Sequence, residues 1–173
     1  MVQQPAAATG RAHRRRSVNL ETLLALLVAC APQVDPRTAA ALVDVESSSH
    51  PHAIGVVGGQ LQRQPRNRPE ALATARALQS DGWNFSVGLA QINVHNLPRL
   101  GLSLEQAFDP CTNLRAMQTL LRECLDRART GEPGPANQRH VRRALSCYYS
   151  GNFSTGFAHG YVRRVALAAA RAR

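Results

Sequence analysis

The chain is poor in acids, with 11 Asp and Glu against 21 basic side chains in 173 residues, so a search for acid–base chemistry is short. Glu46 stands out among them. It ends an apolar helical stretch and follows Val43 and Val45. The negative end of a helix dipole disfavours ionisation there, and partial desolvation acts in the same direction. A carboxyl that keeps its proton near neutral pH is what a general acid for glycosidic-bond cleavage requires. Taken alone, a helix-end glutamate reads as a solvated surface residue. Two other short stretches supply surroundings for it. GLAQIN (88–93) sets Gln91 and Asn93 among small and apolar residues, with a glycine that lets backbone approach a ligand. The same stretch also reads as a buried turn whose amides satisfy backbone groups. CYYSGN (147–152) brings Tyr148 and Tyr149 to a helix end before Gly151. Tyrosines so placed can stack on sugars and hydrogen-bond a carboxylic acid, or simply join the core.

The elements that must position these residues are mostly helices. Ala, Leu, Gln and Arg recur, and long runs of alternating β-branched residues are missing. A first amphipathic helix is expected after Asn19 as N-cap, with Leu20, Leu23, Leu24 and Leu27 on one face and Pro32 ending it. Asp35-Pro36 pairs a capping residue with a proline at the first helical position, so a helix running to about Glu46 follows, closed by Ser47-Ser48-Ser49. Residues 50–68 read as loop, with a short hairpin expected at Gly58-Gly59. Further helices are expected over 69–82, 102–108, 111–129, 139–150 and 160–173, and a strand or turn over 83–93. The result is a mainly α single domain over residues 19–168, with 1–18 as a leader and 169–173 as a basic tail.

Net charge is +10, carried entirely by arginine, since lysine is absent. Such a charge suits an anionic partner. The arginines are scattered, no nucleic-acid motif organises them, and aromatics make up 5% of the chain. Sequence-specific nucleic-acid binding is therefore not expected. Cys30, Cys111, Cys124 and Cys147 match no zinc spacing, which favours two disulfides in an oxidising compartment over four buried thiols. Four cysteines allow three pairings, and sequence alone does not choose among them. Our expectation is Cys30–Cys111 and Cys124–Cys147, because the first two lie at helix ends and the others within helices. Arg11 to Arg16 followed by LETLLALLVACA (20–31) has the outline of a signal peptide, but Glu21 interrupts the apolar run and cleavage would discard Cys30. The helix is the preferred reading, and its apolar run of about 12 residues is too short for a transmembrane span.

Taken in order, VESSSHPHAIG (45–55), GLAQIN (88–93) and ALSCYYSGN (144–152) resemble the three motifs of the soluble lytic transglycosylase family, ES…P.A, GL.Q and AYN.G. FDPCTNL (108–114) is similar to its FDP..N segment. The VirB-type branch associated with type IV secretion is the nearest variant, sharing the GWNFS.GL.QIN stretch and the cysteines. The resemblance covers roughly residues 20–165. It implies a lysozyme-like fold with a minimal β element, and an enzyme that cuts peptidoglycan glycan strands with no metal and no organic cofactor. By position it makes Glu46 the single catalytic acid and later base. It puts Tyr148 in the place of a tyrosine that hydrogen-bonds that acid. Ser47, Gln91, Asn93 and Tyr149 fall on substrate-binding positions. The sequence departs from the pattern at Tyr149, where the family often has Asn, and at Cys147, where it often has Ala.

One acid is enough for this chemistry. Ordinary glycosidases need two carboxylates across the scissile bond, and no second acid belongs to a matching motif; Asp44, two residues away on the helix, points elsewhere. In a lytic transglycosylase the 2-acetamido group and the 6-hydroxyl of muramic acid do the work of the second carboxylate. The resemblance also implies a periplasmic or envelope location, secretion-system components as partners, and a monomer. The alternatives are a hydrolytic lysozyme on the same fold, a catalytically silent wall-binding or assembly factor, and a basic nucleic-acid-binding module.

Overall fold

Side-chain caps open six of the helices. In the computed structural model, which describes residues 17–132 and 134–171, Asn19, Asp35, Asn67, Ser103, Asp109 and Asn137 each accept a backbone N–H from the first turn of the helix that follows. These contacts satisfy donors that a helix start leaves orphaned. The elements run α1 Leu20–Cys30, α2 Pro36–Ser47, β1 Ile54–Val56, α3 Arg68–Ser80, β2 Phe85–Val87, β3 Ile92–Asn93, a 3-10 turn Val94–Asn96, α4 Leu97–Leu100, α5 Leu104–Ala107, α6 Pro110–Arg129, α7 Gln138–Ser150, α8 Thr155–Ala158 and α9 Tyr161–Arg171. The long helices stand where periodicity and caps place them. The 3-10 turn, α4 and α8 carry too few residues to show a helical period, so the sequence predicts none of them.

Two points differ from expectation. Gly58 and Gly59 do not make a local hairpin. Instead β1 pairs antiparallel with β2, Ile54 opposite Val87 and Val56 opposite Phe85, and β2 pairs antiparallel with β3. The glycines lie in the turn that leaves β1, Gly58 at φ +74°. The outer edge of β1 is closed by one side chain: Gln64 Nε2 donates to the Ile54 carbonyl at 2.9 Å while its Oε1 accepts from the Ile54 N–H at 2.8 Å. An amide side chain thus stands in for a fourth strand, which no strand pattern reveals. Residues 169–171 form the last turn of α9, within the helix expected over 160–173. Of the expected leader, residues 1–16 lie outside the described residues, whereas Val18 donates its N–H to the Ser49 carbonyl at 2.8 Å.

The core joins Leu23 and Leu27 of α1, Leu42 and Val43 of α2, Phe85 and Ile92 of the sheet, and Leu114 and Met117 of α6. Two disulfides tie the helices around it, Cys30–Cys111 between α1 and α6 and Cys124–Cys147 between α6 and α7. Of the three possible pairings, this is the one expected. Among the described residues no helix is long and apolar enough to cross a membrane.

Where the sheet meets the helices, a buried asparagine takes over from regular secondary structure. Asn113, in the first turn of α6, donates from Nδ2 to the carbonyls of Val87 at 3.0 Å and Ala107 at 2.7 Å, and accepts from Ala90 N at 2.8 Å. Gly88 allows it to come so close. The glycine has φ +81°, and a Cβ there would sit 2.3 Å from Asn113 Nδ2. Gly101 also has positive φ, at +65°, but faces open space.

Substitutions at these points separate strain from clash. Gly88→Ala meets both backbone strain and a clash with the buried amide, and should destabilise the protein by about 2–4 kcal/mol in urea denaturation, against about 1 kcal/mol for Gly101→Ala. Serine replacement of the Cys30–Cys111 pair, which closes a loop with a separation of 81 residues, should cost about 4 kcal/mol. The Cys124–Cys147 pair, with a separation of 23, should cost about 3 kcal/mol by the same measurement.

Candidate active site

Four carbonyl and amide groups of one turn collect the site. The turn is Gly88–Gln91, between β2 and β3. Ser47 Oγ, at the end of α2, donates to the Leu89 carbonyl at 2.6 Å. Tyr148 Oη, near the end of α7, donates to the Ala90 carbonyl at 2.7 Å. Asn113 holds the Ala90 N–H from α6. Gln91, at φ +49°, folds its amide back so that Nε2 donates to the carbonyls of Gly88 at 2.9 Å and Ala53 at 3.1 Å. Its Oε1 then lies over Gly55, where a Cβ would come within 2.6 Å. A side chain at Gly55 would therefore have to displace the glutamine amide, whereas its own backbone angle is ordinary.

Glu46 sits at the junction of two cavities, of about 320 and 400 Å³. Both are bordered by Glu46, Gly55 and Gln91, which makes them two halves of one cleft. Tyr148, Tyr149, Asn93 and Ser86 line the first half; Ser47, Ser48, His50 and Gln64 line the second. The cleft thus runs past Glu46 on both sides, the shape a polymer cut internally or near its end would need.

The Glu46 carboxyl is half-buried, and its Oε1 accepts a hydrogen bond of 2.5 Å from Tyr161 Oη. Burial pushes its pKa from 4.5 up to about 7, against the Tyr161 hydrogen bond and the positive charge of Arg164, which both lower it. Desolvation wins because neither opposing group forms an ion pair with the carboxyl, so the charged form is left without full compensation. The same burial, together with the negative charge of Glu46, raises the pKa of both Tyr148 and Tyr161. Both phenols therefore stay protonated and act as donors.

This corrects one expectation. The hydroxyl on Glu46 belongs to Tyr161, at the start of α9, and not to Tyr148, whose own hydroxyl is spent on the turn. The packing of α2 against α9 accounts for it, since it sets the first turn of α9 beside the last turn of α2. Only three tyrosines occur in the chain, and that scarcity is the one sequence signal for Tyr161. Ser47 and Asn93 border the cleft, yet their polar atoms are already engaged. Ser47 fastens α2 to the turn. Asn93 donates to Asn84 Oδ1 at 2.7 Å and accepts from His95 N at 3.0 Å. Gln91 and Tyr149 also lie on the cleft, and Tyr149 is exposed. Asp44 is exposed and borders a separate groove with Leu20 and Ala168, as its place on the helix predicts. Among the described residues, no three His, Cys, Asp or Glu side chains come together as a metal site.

Comparison with known proteins agrees with this geometry. The model of the transglycosylase SLT domain matches residues 24–168. The type IV secretion system protein virB1 of Brucella suis biovar 1 is 49% identical over 151 residues, which are 84% of this chain and 63% of that protein. Its counterpart in Brucella abortus is identical to the same extent. Protein virB1 of Agrobacterium fabrum is 39% identical over 142 residues, 81% of this chain and 56% of that protein. The chain thus spans less than two thirds of the length of these relatives. No solved structure matches it. With most of its residues matched, and with Glu46, Gln91 and Tyr148 gathered around one cleft, the chain belongs to the transglycosylase SLT domain family and has its mainly helical, lysozyme-like fold.

Proposed function

We propose that this chain cleaves the β-1,4 bond between N-acetylmuramic acid and N-acetylglucosamine in peptidoglycan by lytic transglycosylation. The observation that carries the reading is a lone, desolvated carboxyl in the cleft, its pKa raised by burial to about 7. Among the described residues Glu46 is the only acid bordering either half of the cleft. A hydrolase of the usual kind would need a second.

The tyrosine hydroxyl donates to Oε1 of Glu46, which leaves Oε2 to carry the proton. That proton goes to the glycosidic oxygen as the bond to C1 of muramic acid breaks. The acetamido oxygen of the same sugar stabilises the positive charge that develops at C1. The Glu46 carboxylate then takes the proton of the sugar's 6-hydroxyl, whose oxygen bonds to C1. The product is a 1,6-anhydro end, and no water enters. Gln91 borders both halves of the cleft beside the scissile bond, with Asn93 on one side and Ser47 on the other.

The relatives named for type IV secretion support a setting in the periplasm or cell envelope, where such cleavage would open the wall locally for assembly of a secretion apparatus. Two disulfides suit that oxidising compartment. The net charge of +10 favours approach to an anionic envelope. Glycan strands are the principal partner, with secretion-system components beside them.

Mass spectrometry of muropeptides released from purified sacculi tests the reading. The wild type should yield anhydro-muramic ends, and Glu46→Gln should lower their release by about a thousandfold or more. Reducing-end muramic acid as the product would establish a lysozyme instead, and wall release undiminished in Glu46→Gln would remove Glu46 from the chemistry. Because the acid must be protonated, kcat/KM should fall as pH rises above about 7. Stability carries the same signature. The native carboxyl holds a proton that the unfolded chain releases near pH 4.5, so the wild type loses stability between about pH 4.5 and 7. Glu46→Gln should therefore match the wild type at pH 4 and exceed it by about 3 kcal/mol at pH 8 in thermal or urea unfolding.

A further inference from the structure

The hydroxyls of two tyrosines beside Glu46 have clear tasks: Tyr161 donates to the carboxyl and Tyr148 to the Ala90 carbonyl. Tyr149 does neither. Its ring lies on that of Tyr161, with centroids 4.6 Å apart and planes 20° from parallel. Its hydroxyl is 3.3 Å from His159 Nδ1, and the tyrosine and histidine rings meet edge to face at 5.9 Å. Arg164 steadies this corner by donating to the His159 carbonyl at 3.0 Å. The consequence is visible in exposure. Tyr149 is 41% exposed to the cleft, and the Tyr161 beneath it is 2% exposed. Asparagine, the usual residue of the motif at this position, offers no ring to make such a cover.

We infer that Tyr149, held at its hydroxyl by His159, is a positioning residue whose ring stacks on Tyr161 and keeps the Tyr161 hydroxyl on the Glu46 carboxyl. The inference rests on Glu46 being the acid of the reading above. Two stacked rings restrict the tilt of the lower one, and the Tyr161 hydroxyl lies at the far end of that lever. The charged and titratable groups facing Glu46 are Tyr161 and Arg164 from α9 and Tyr148 from α7. His50 borders the other half of the cleft, and His159 faces Tyr149 from the turn between α8 and α9.

The test uses the full chain with Tyr149→Ala, Tyr149→Phe and His159→Ala. Steady-state kinetics on a soluble, uncrosslinked glycan oligomer is paired with titration of the Glu46 carboxyl by carbon-13 NMR. Tyr149→Ala should lower kcat by about ten- to a hundredfold with KM within about twofold, and should move the Glu46 midpoint to higher pH as the Tyr161 hydrogen bond, which lowers it, is lost. Tyr149→Phe keeps the stack and should restore kcat to within about threefold, with His159→Ala between the two. If Tyr149→Ala does not fold, Tyr149→Asn takes its place with the same expectations. A raised KM with unchanged kcat and an unmoved midpoint would make Tyr149 a sugar platform and overturn the inference. A midpoint that moves while the wild type itself releases no anhydro ends would leave the positioning role standing and refute the proposed reaction alone.

Discussion

The structure depends on satisfying the backbone of one four-residue turn. Gly88–Gln91 is buried for three of its residues, and buried amides and carbonyls must be paired. A short sheet cannot do this, because β3 is only two residues long. The partners come from elsewhere, and each brings an element with it: Ser47 brings α2, Asn113 brings α6, and Tyr148 brings α7. Convergence of three helices on one turn is what builds the cleft. The Glu46 carboxyl lies one residue before Ser47, so the hydroxyl that satisfies Leu89 also fixes where Glu46 stands.

The same economy explains the glycines of the motifs. Gly88 admits the Asn113 amide, and Gly55 admits the Gln91 amide. Each glycine is the space a neighbouring side chain needs in order to reach buried backbone. The family resemblance at these positions therefore has a packing cause. Ser47, Gln91 and Asn93 border the cleft and at the same time fasten the elements around it.

The site also balances stability against activity. A carboxyl raised to about 7 is destabilising above that pH, yet a fully paired carboxylate would lose the proton that the reaction needs. Tyr161 marks a compromise, since its neutral hydroxyl orients the acid without supplying a charge. Arg164 lowers the pKa from a distance and makes no ion pair with the acid. Two disulfides tie α1, α6 and α7 together, and Cys147 directly precedes Tyr148 of the cleft.

Local physics is legible in the sequence. The caps at Asn19, Asp35 and Asp109, the prolines after two of them, and the apolar periods of α1, α2 and α6 are enough to set the long helices. They also place Glu46 at a helix end and turn Asp44 away from it. The ordered motifs mark Gln91 and Tyr148 as cleft residues. Tertiary packing alone decided which strand β1 joined, since the partner lies about 30 residues away, beyond any local turn signal. It alone assigned the Glu46 hydrogen bond to Tyr161, because that contact spans 115 positions in the chain. Periodicity reports which face of a helix is apolar. It is silent on which polar tip meets which across the core, and the chemistry of this cleft is made of such meetings.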